Sequence, residues 1–239
     1  MIERAIEEAV ARVEREYSFE LPRIEVGDLS SYIEHTNLKP TATTADIKKL
    51  LGEALEHKFL GVCVNPCYVP IAAETLKETK VKLVTVVGFP LGATSSEAKA
   101  AEAAFAVKNG AQEIDMVINV SFLKSQEWEE VYDDIKAVVE AVDVPVKVII
   151  ETAYLTRDEK IAACVISKLA GAAFVKTSTG FAPSGAKVED VHLMKFVVGE
   201  DMGVKASGGI RTREDAVAMI RAGASRLGTS SGVTIVGRS

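Results

Sequence analysis

The apolar positions change their period along the chain. At the start, Ile2, Ile6, Val10 and Val13 recur at helical spacing while Glu and Arg fill the other faces, which predicts an amphipathic helix ahead of the main fold. From residue 31 onward, short β-branched or apolar runs alternate with longer Ala/Glu/Lys-rich stretches. The runs predict eight strands: SYIEHTNL at 31 to 38, GVCVNP at 61 to 66, KLVTVVGFP at 82 to 90, EIDMVIN at 113 to 119, VPVKVIIET at 144 to 152, AFVKTSTG at 173 to 180, GVKASGGI at 203 to 210 and SRLGTSSG at 225 to 232. Between them lie helical patterns such as TADIKKLLGEALEHK, SEAKAAEAAFAVKNG, EWEEVYDDIKAVVEAV and REDAVAMIRAG, several closing on a glycine or asparagine suited to a C-cap.

Strands that alternate with helices build a parallel sheet. Eight such units in 239 residues match the size of the (β/α)₈ TIM barrel better than an open doubly wound sheet. The predicted fold is therefore α/β, a (β/α)₈ barrel with an extra N-terminal helix. Without a Pro/Gly/Ser-rich linker, residues 1–239 read as one domain, 1–30 as a helical extension and 31–236 as the barrel.

Composition changes this picture little. With 48% hydrophobic and 26% charged residues the chain can bury a large core. A net charge of −6 argues against nucleic acid or an anionic membrane as a partner. The N-terminal stretch lacks the unbroken apolar run of a signal peptide or membrane span, so a soluble, cytoplasmic protein is expected. Cys63, Cys67 and Cys164 are too few for a disulfide framework, and reduced thiols are expected.

Barrel active sites collect at the carboxyl ends of the strands, so inward ionisable residues there carry information. Lys176 alternates with Val175 and Thr177, and Lys205 with Val204 and Ala206, which points both into the barrel mouth. Asp115 and Lys147 follow the same alternation. A single inward lysine is more often part of a satisfied ion-pair cluster than a functional group. Three beside one carboxylate favour a site: burial and a neighbouring ammonium both lower a lysine pKa, as a lysine nucleophile requires, and an inward acid can relay protons through a water. Spacing alone does not choose the nucleophile among the three.

Three turns rich in small residues end the last three strands: TSTG with Thr177 and Gly180, SGG with Ser207, Gly208 and Gly209, and GTSSG with Gly228, Ser230 and Ser231. Each alone reads as a tight loop. Together they predict a phosphate site, since glycines admit backbone amides close to an anion and hydroxyls donate to it, with SGVTIV as the short helix often found there. Arg211 opens the next helix and reads equally as an anion contact or a solvated charge. Cys63 points inward, where it reads as a pocket-lining residue or, more commonly for such a cysteine, as apolar core, whereas Cys67 falls in the following loop. His35, His57 and His192 show no metal-ligand spacing, and no nucleotide loop is present, so neither metal nor cofactor is expected.

EIDMVIN, VKVIIET, FVKTSTG and GVKASGGIRT resemble the signature stretches of the deoxyribose-phosphate aldolase family, and GVCVNP, VVGFPLG and GTSSG fit its pattern. The resemblance spans about residues 31 to 236. It implies a Schiff base on Lys176, a pKa-perturbing Lys205, Asp115 in a water-assisted proton relay, and phosphate at Gly180, Gly208, Gly209, Ser230 and Ser231. It further implies reversible cleavage of 2-deoxy-D-ribose 5-phosphate to D-glyceraldehyde 3-phosphate and acetaldehyde in deoxyribonucleotide catabolism, with no cofactor, by a homodimer or homotetramer. Two features depart from the family pattern: Glu34 stands where aspartate is usual, and IVGRS stands where some members carry a C-terminal tyrosine, so proton transfer by such a tail is not expected. Competing readings are a sugar-phosphate isomerase or synthase on the same barrel, which forms no covalent adduct, and a silent sugar-phosphate binder, which leaves its ligand unchanged.

Overall fold

A computed structural model describes residues 1–237; Arg238 and Ser239, the end of the IVGRS stretch, lie outside the described residues. Among the described residues the chain opens with α1 (Ile2–Glu16), which buries Ile2, Ile6 and Val13. Then β1 (Ile33–Asn37) leads to α2 (Thr44–Glu56), β2 (Gly61–Val64) to α3 (Val69–Leu76), and β3 (Lys82–Val87) to α4 (Ser96–Lys108). After β4 (Glu113–Val117) come a short α5 (Val120–Lys124) and α6 (Trp128–Glu140). The last four units pair β5 (Val146–Ile149) with α7 (Arg157–Leu169), β6 (Phe174–Lys176) with α8 (Val188–Val198), β7 (Gly203–Ser207) with α9 (Arg213–Arg221), and β8 (Arg226–Thr229) with α10 (Gly232–Val236).

The eight strands pair in parallel, each with its sequence neighbour, and β1 pairs with β8 to close the barrel. Each predicted strand exists but is shorter than its apolar run. Ser31 and Tyr32 belong to a 3₁₀ turn over Leu29–Tyr32, and the TSTG stretch leaves the ladder after Lys176. Helix starts follow local chemistry: Thr43/Asp46, Thr156/Glu159 and Thr212/Asp215 form capping boxes for α2, α7 and α9, in which the threonine and the acid each accept a backbone N–H of the other residue. Each such cap is worth about 1 kcal/mol.

The main apolar core lies between the strand wall and the helices, and includes Val62, Leu83, Ile114, Val148, Val175 and Val204 from outward strand positions. Burying a side chain of this size contributes about 1.5–3 kcal/mol before the entropy of ordering it is subtracted. Helix α1 covers this layer from outside, packing on α7, and Arg12 donates to the carbonyls of Phe196 and Val197 at 2.9 and 3.2 Å. Inside the barrel the chemistry changes. A small apolar cluster of Leu38, Cys63, Val84 and Val86 occupies the side of β2 and β3, and charged side chains fill the rest.

Candidate active site

Strand register sets the charged side chains at matching heights. Asp115 pairs with Lys147, and Lys176 with Lys205, as Cα partners on adjacent strands. Asp115 collects all three inward lysines: Lys147 donates to Oδ1 at 2.9 Å, and Lys176 and Lys205 donate to Oδ2 at 2.8 and 2.6 Å. Asp115 thus contacts the Lys176 amine directly. Glu34 accepts a second, short bond from Lys205 and lies 3.6 Å from Lys147, and Glu113 sits 2.7 Å from Lys147. Arg226 completes the base of the cluster, 3.4 Å from Glu34 and 3.6 Å from Glu113.

These contacts separate the three amines. Burial lowers all three, because a low-dielectric interior disfavours the ammonium. For Lys205, Asp115 and Glu34 outweigh burial and hold the amine above its usual range; for Lys147, Asp115 and Glu34 do the same. Lys176 meets Asp115 alone among these acids, and burial together with the Lys205 charge holds its amine below the usual value. Burial would raise the Asp115 carboxyl, but its three lysines hold it well below the usual carboxylate range. Burial pushes the Cys63 thiol up to about 11, so it remains neutral.

Above the cluster, at the carboxyl end of the strands, opens a cavity of about 660 Å³. Lys176 reaches it; Lys147, Lys205, Asp115 and Cys63 are buried beneath and do not line it. Gly180, Ser207, Gly208, Gly209, Gly228, Ser230 and Ser231 all lie on its wall, as does Arg211. Thr177 does not: its hydroxyl donates to the Ser207 carbonyl at 3.1 Å and braces β6 against β7. Gly208 and Gly209 adopt φ of 83° and 82°, a conformation that a side chain would strain. At Gly228 a Cβ would stand 3.0 Å from Lys205 Cε, so its missing side chain makes room for the lysine.

Several contributors were not singled out by sequence reasoning. Gly185 packs so closely on the Gly208 turn that a Cβ there would lie 2.2 Å from the Gly208 carbonyl oxygen. Phe181 lines the cavity and meets Phe89, from the loop after β3, edge to face with centroids 5.4 Å apart. Thr179 lines the cavity and is bonded to a buried Glu151. His35 faces Glu53 at 2.8 Å, His57 caps α2, and His192 bonds the Tyr17 hydroxyl at 3.1 Å, so the three histidines serve separate places.

An amine set apart from its neighbours by charge, in the wall of a barrel-mouth cavity, suits covalent work on a carbonyl carbon. The model of the DeoC/LacD family aldolases matches residues 29–238, and the chain belongs to this family. It is 66% identical over 239 residues to a deoxyribose-phosphate aldolase of Thermotoga maritima, covering 99% of this chain and 96% of that protein. A deoxyribose-phosphate aldolase of Enterococcus faecalis is 57% identical over 211 residues, covering 87% and 96% of the two chains. Among solved structures, the tetrameric deoxyribose phosphate aldolase of Aeropyrum pernix superposes with a TM-score of 0.82 at 32% identity, over 97% of this chain and 95% of that one.

Proposed function

We propose that the protein reversibly cleaves 2-deoxy-D-ribose 5-phosphate to D-glyceraldehyde 3-phosphate and acetaldehyde through a Schiff base on Lys176. The name of the curated relatives supports the substrate. One observation carries the mechanism: Lys176 alone of the three inward lysines both reaches the cavity and is held below its usual pKa.

The neutral amine of Lys176 adds to C1 of the open-chain sugar, and loss of water gives a protonated imine. This cation accepts the electron pair of the C2–C3 bond as the C3 hydroxyl gives up its proton, which passes through a water toward Asp115. Glyceraldehyde 3-phosphate leaves. The enamine takes a proton at C2, and hydrolysis releases acetaldehyde and restores the amine. Substrate and amine supply every electron pair, so no cofactor is called for.

Lys205, kept protonated by Asp115 and Glu34, favours the neutral form of Lys176 before the addition. Lys147 neutralises the acids below. Phosphate held at the Gly208–Gly209 and Ser230–Ser231 turns anchors the far end of the sugar, so its binding energy orients C1 against the amine. Among the described residues no helix is long and apolar enough to cross a membrane. We place the protein in the cytoplasm as a homodimer or homotetramer, with the tetramer of the Aeropyrum pernix relative as support.

Borohydride reduction in the presence of 2-deoxyribose 5-phosphate, followed by peptide mass mapping, tests the mechanism. The expected result is an adduct on Lys176. An adduct on Lys147 or Lys205, or none on folded protein that binds the sugar, overturns it.

A further inference from the structure

Glu151 follows β5 with φ 54° and ψ 65°, a left-handed conformation that residues with a Cβ seldom adopt. Its neighbours continue the pairing with β6: the Ile150 N–H donates to the Lys176 carbonyl, and the Thr152 N–H to the Thr177 carbonyl, both at 2.9 Å. The Glu151 carboxylate is buried, with 3% of the residue exposed, and does not line the cavity. It accepts the Thr179 N–H at 3.2 Å and a short bond from the Thr179 hydroxyl. The same Thr179 oxygen accepts the Phe181 N–H at 3.1 Å. One buried acid therefore organises the Thr179–Phe181 stretch from beneath.

That stretch is the wall against which the anion turn is built. Gly180, at φ 87°, places its Cα 3.7 Å from where a Cβ on Gly208 would stand, and Ser178 Cβ lies 3.5 Å from the same point. Ser207 Oγ donates to the Ser178 carbonyl at 2.6 Å, which ties the two loops together. A buried carboxylate costs free energy unless its bonds are made, so a strained residue holding one here points to a task.

We infer that Glu151 is a positioning residue for phosphate recognition: through Thr179 it fixes the β6 loop that backs the Gly208–Gly209 turn, without touching the reacting carbons. The inference rests on reading the cavity as a sugar-phosphate site. Burial pushes the Glu151 carboxyl up, against the Thr179 bonds and the Lys176 charge that lower it. A neutral isostere that keeps an accepting oxygen should therefore preserve much of the arrangement.

The test compares wild type with Glu151→Ala, Glu151→Gln, Thr179→Val and the Ala/Val double variant. Binding of inorganic phosphate is followed by calorimetry, and steady-state kinetics are measured on 2-deoxyribose 5-phosphate and on unphosphorylated 2-deoxyribose. For Glu151→Ala the phosphate affinity is expected to fall, and the KM of the phosphorylated sugar to rise, by about tenfold, while kcat/KM on the unphosphorylated sugar changes less than about twofold. Glu151→Gln should recover most of the loss, and the double variant should lose less than the sum of the two single variants, because both remove the same hydroxyl–carboxylate bond.

Equal losses on the two sugars, unchanged phosphate binding, or additive effects in the double variant would overturn the assignment. If Glu151→Ala does not fold, Glu151→Gln and Thr179→Val decide the matter by the same readings. A wild type that binds phosphate yet cleaves no sugar would remove the aldolase reading alone, since the phosphate titration still reports on Glu151.

Discussion

Two sets of buried lysine–aspartate contacts sit on opposite sides of β4. Outside the barrel, Lys99 of α4 donates to Asp134 of α6 at 2.6 Å and to the carbonyl of Val117, at the end of β4, at 2.9 Å. Inside, Asp115, two positions earlier on the same strand, receives Lys176 at 2.8 Å. Contact lengths and burial hardly distinguish them. The stoichiometry does: Lys99 and Asp134 form a one-to-one pair completed by the Ser96 hydroxyl at 3.1 Å, whereas Asp115 is shared by three ammoniums and two of these have further acids of their own. Lys176 is left with the smallest share of negative charge and opens on a cavity. Burial holds the Lys99 amine below its usual value as it does that of Lys176, so access to the cavity beside a shared acid makes Lys176 the candidate nucleophile and leaves Lys99 a strut.

The sharpest way to break this comparison is Lys176→Ala, expected to lower kcat by about four orders of magnitude or more and to abolish borohydride trapping while the fold persists. Retained turnover in a folded variant would place the chemistry elsewhere. Next in size, Lys205→Leu is expected to lower kcat by about two to three orders of magnitude. Removing that positive neighbour raises the Lys176 pKa, so the acid limb of the pH–rate profile should move to higher pH. A stationary limb would show that Lys205 does not tune the amine.

The outer pair should behave in the opposite manner. Lys99→Met leaves Asp134 buried without its partner and is expected to cost about 3–5 kcal/mol in denaturant unfolding. The pH–rate profile of the surviving folded enzyme should not move. A shifted profile would mean that the two sides of β4 are coupled and that the distinction drawn from stoichiometry is incomplete.

Much of the fold was legible because alternation and helical period are local properties. The eight apolar runs become eight strands, and their inward phase correctly points Lys176, Lys205, Asp115 and Lys147 into the barrel. Strand ends were read too long where tertiary bonding overrides the run: after Lys176 the chain is drawn away by Thr179 and Glu151. Partners distant in sequence were not legible. Glu34 stands out in the sequence as an acid able to meet substrate or a neighbouring lysine without saying which, and the structure gives that lysine as Lys205; Glu113, Arg226 and Glu151 carry no such signal. Lys99, in an Ala/Glu/Lys-rich helix, looks like a solvent-facing residue by composition and is fully buried.

The closure of the barrel between β1 and β8 has a kinetic consequence. The Lys205–Glu34 contact joins residues 171 apart, and Asp115 and the three lysines that meet at it come from four strands, with Glu34 adding a fifth. Contacts of such separation carry the largest loop-closure entropy and tend to be made late, after local strand–helix units have docked. In the unfolded chain Lys176 is an ordinary hydrated ammonium. The onset of imine formation during refolding is therefore expected to follow the docking of the strands that carry Asp115 and Lys205 against Lys176.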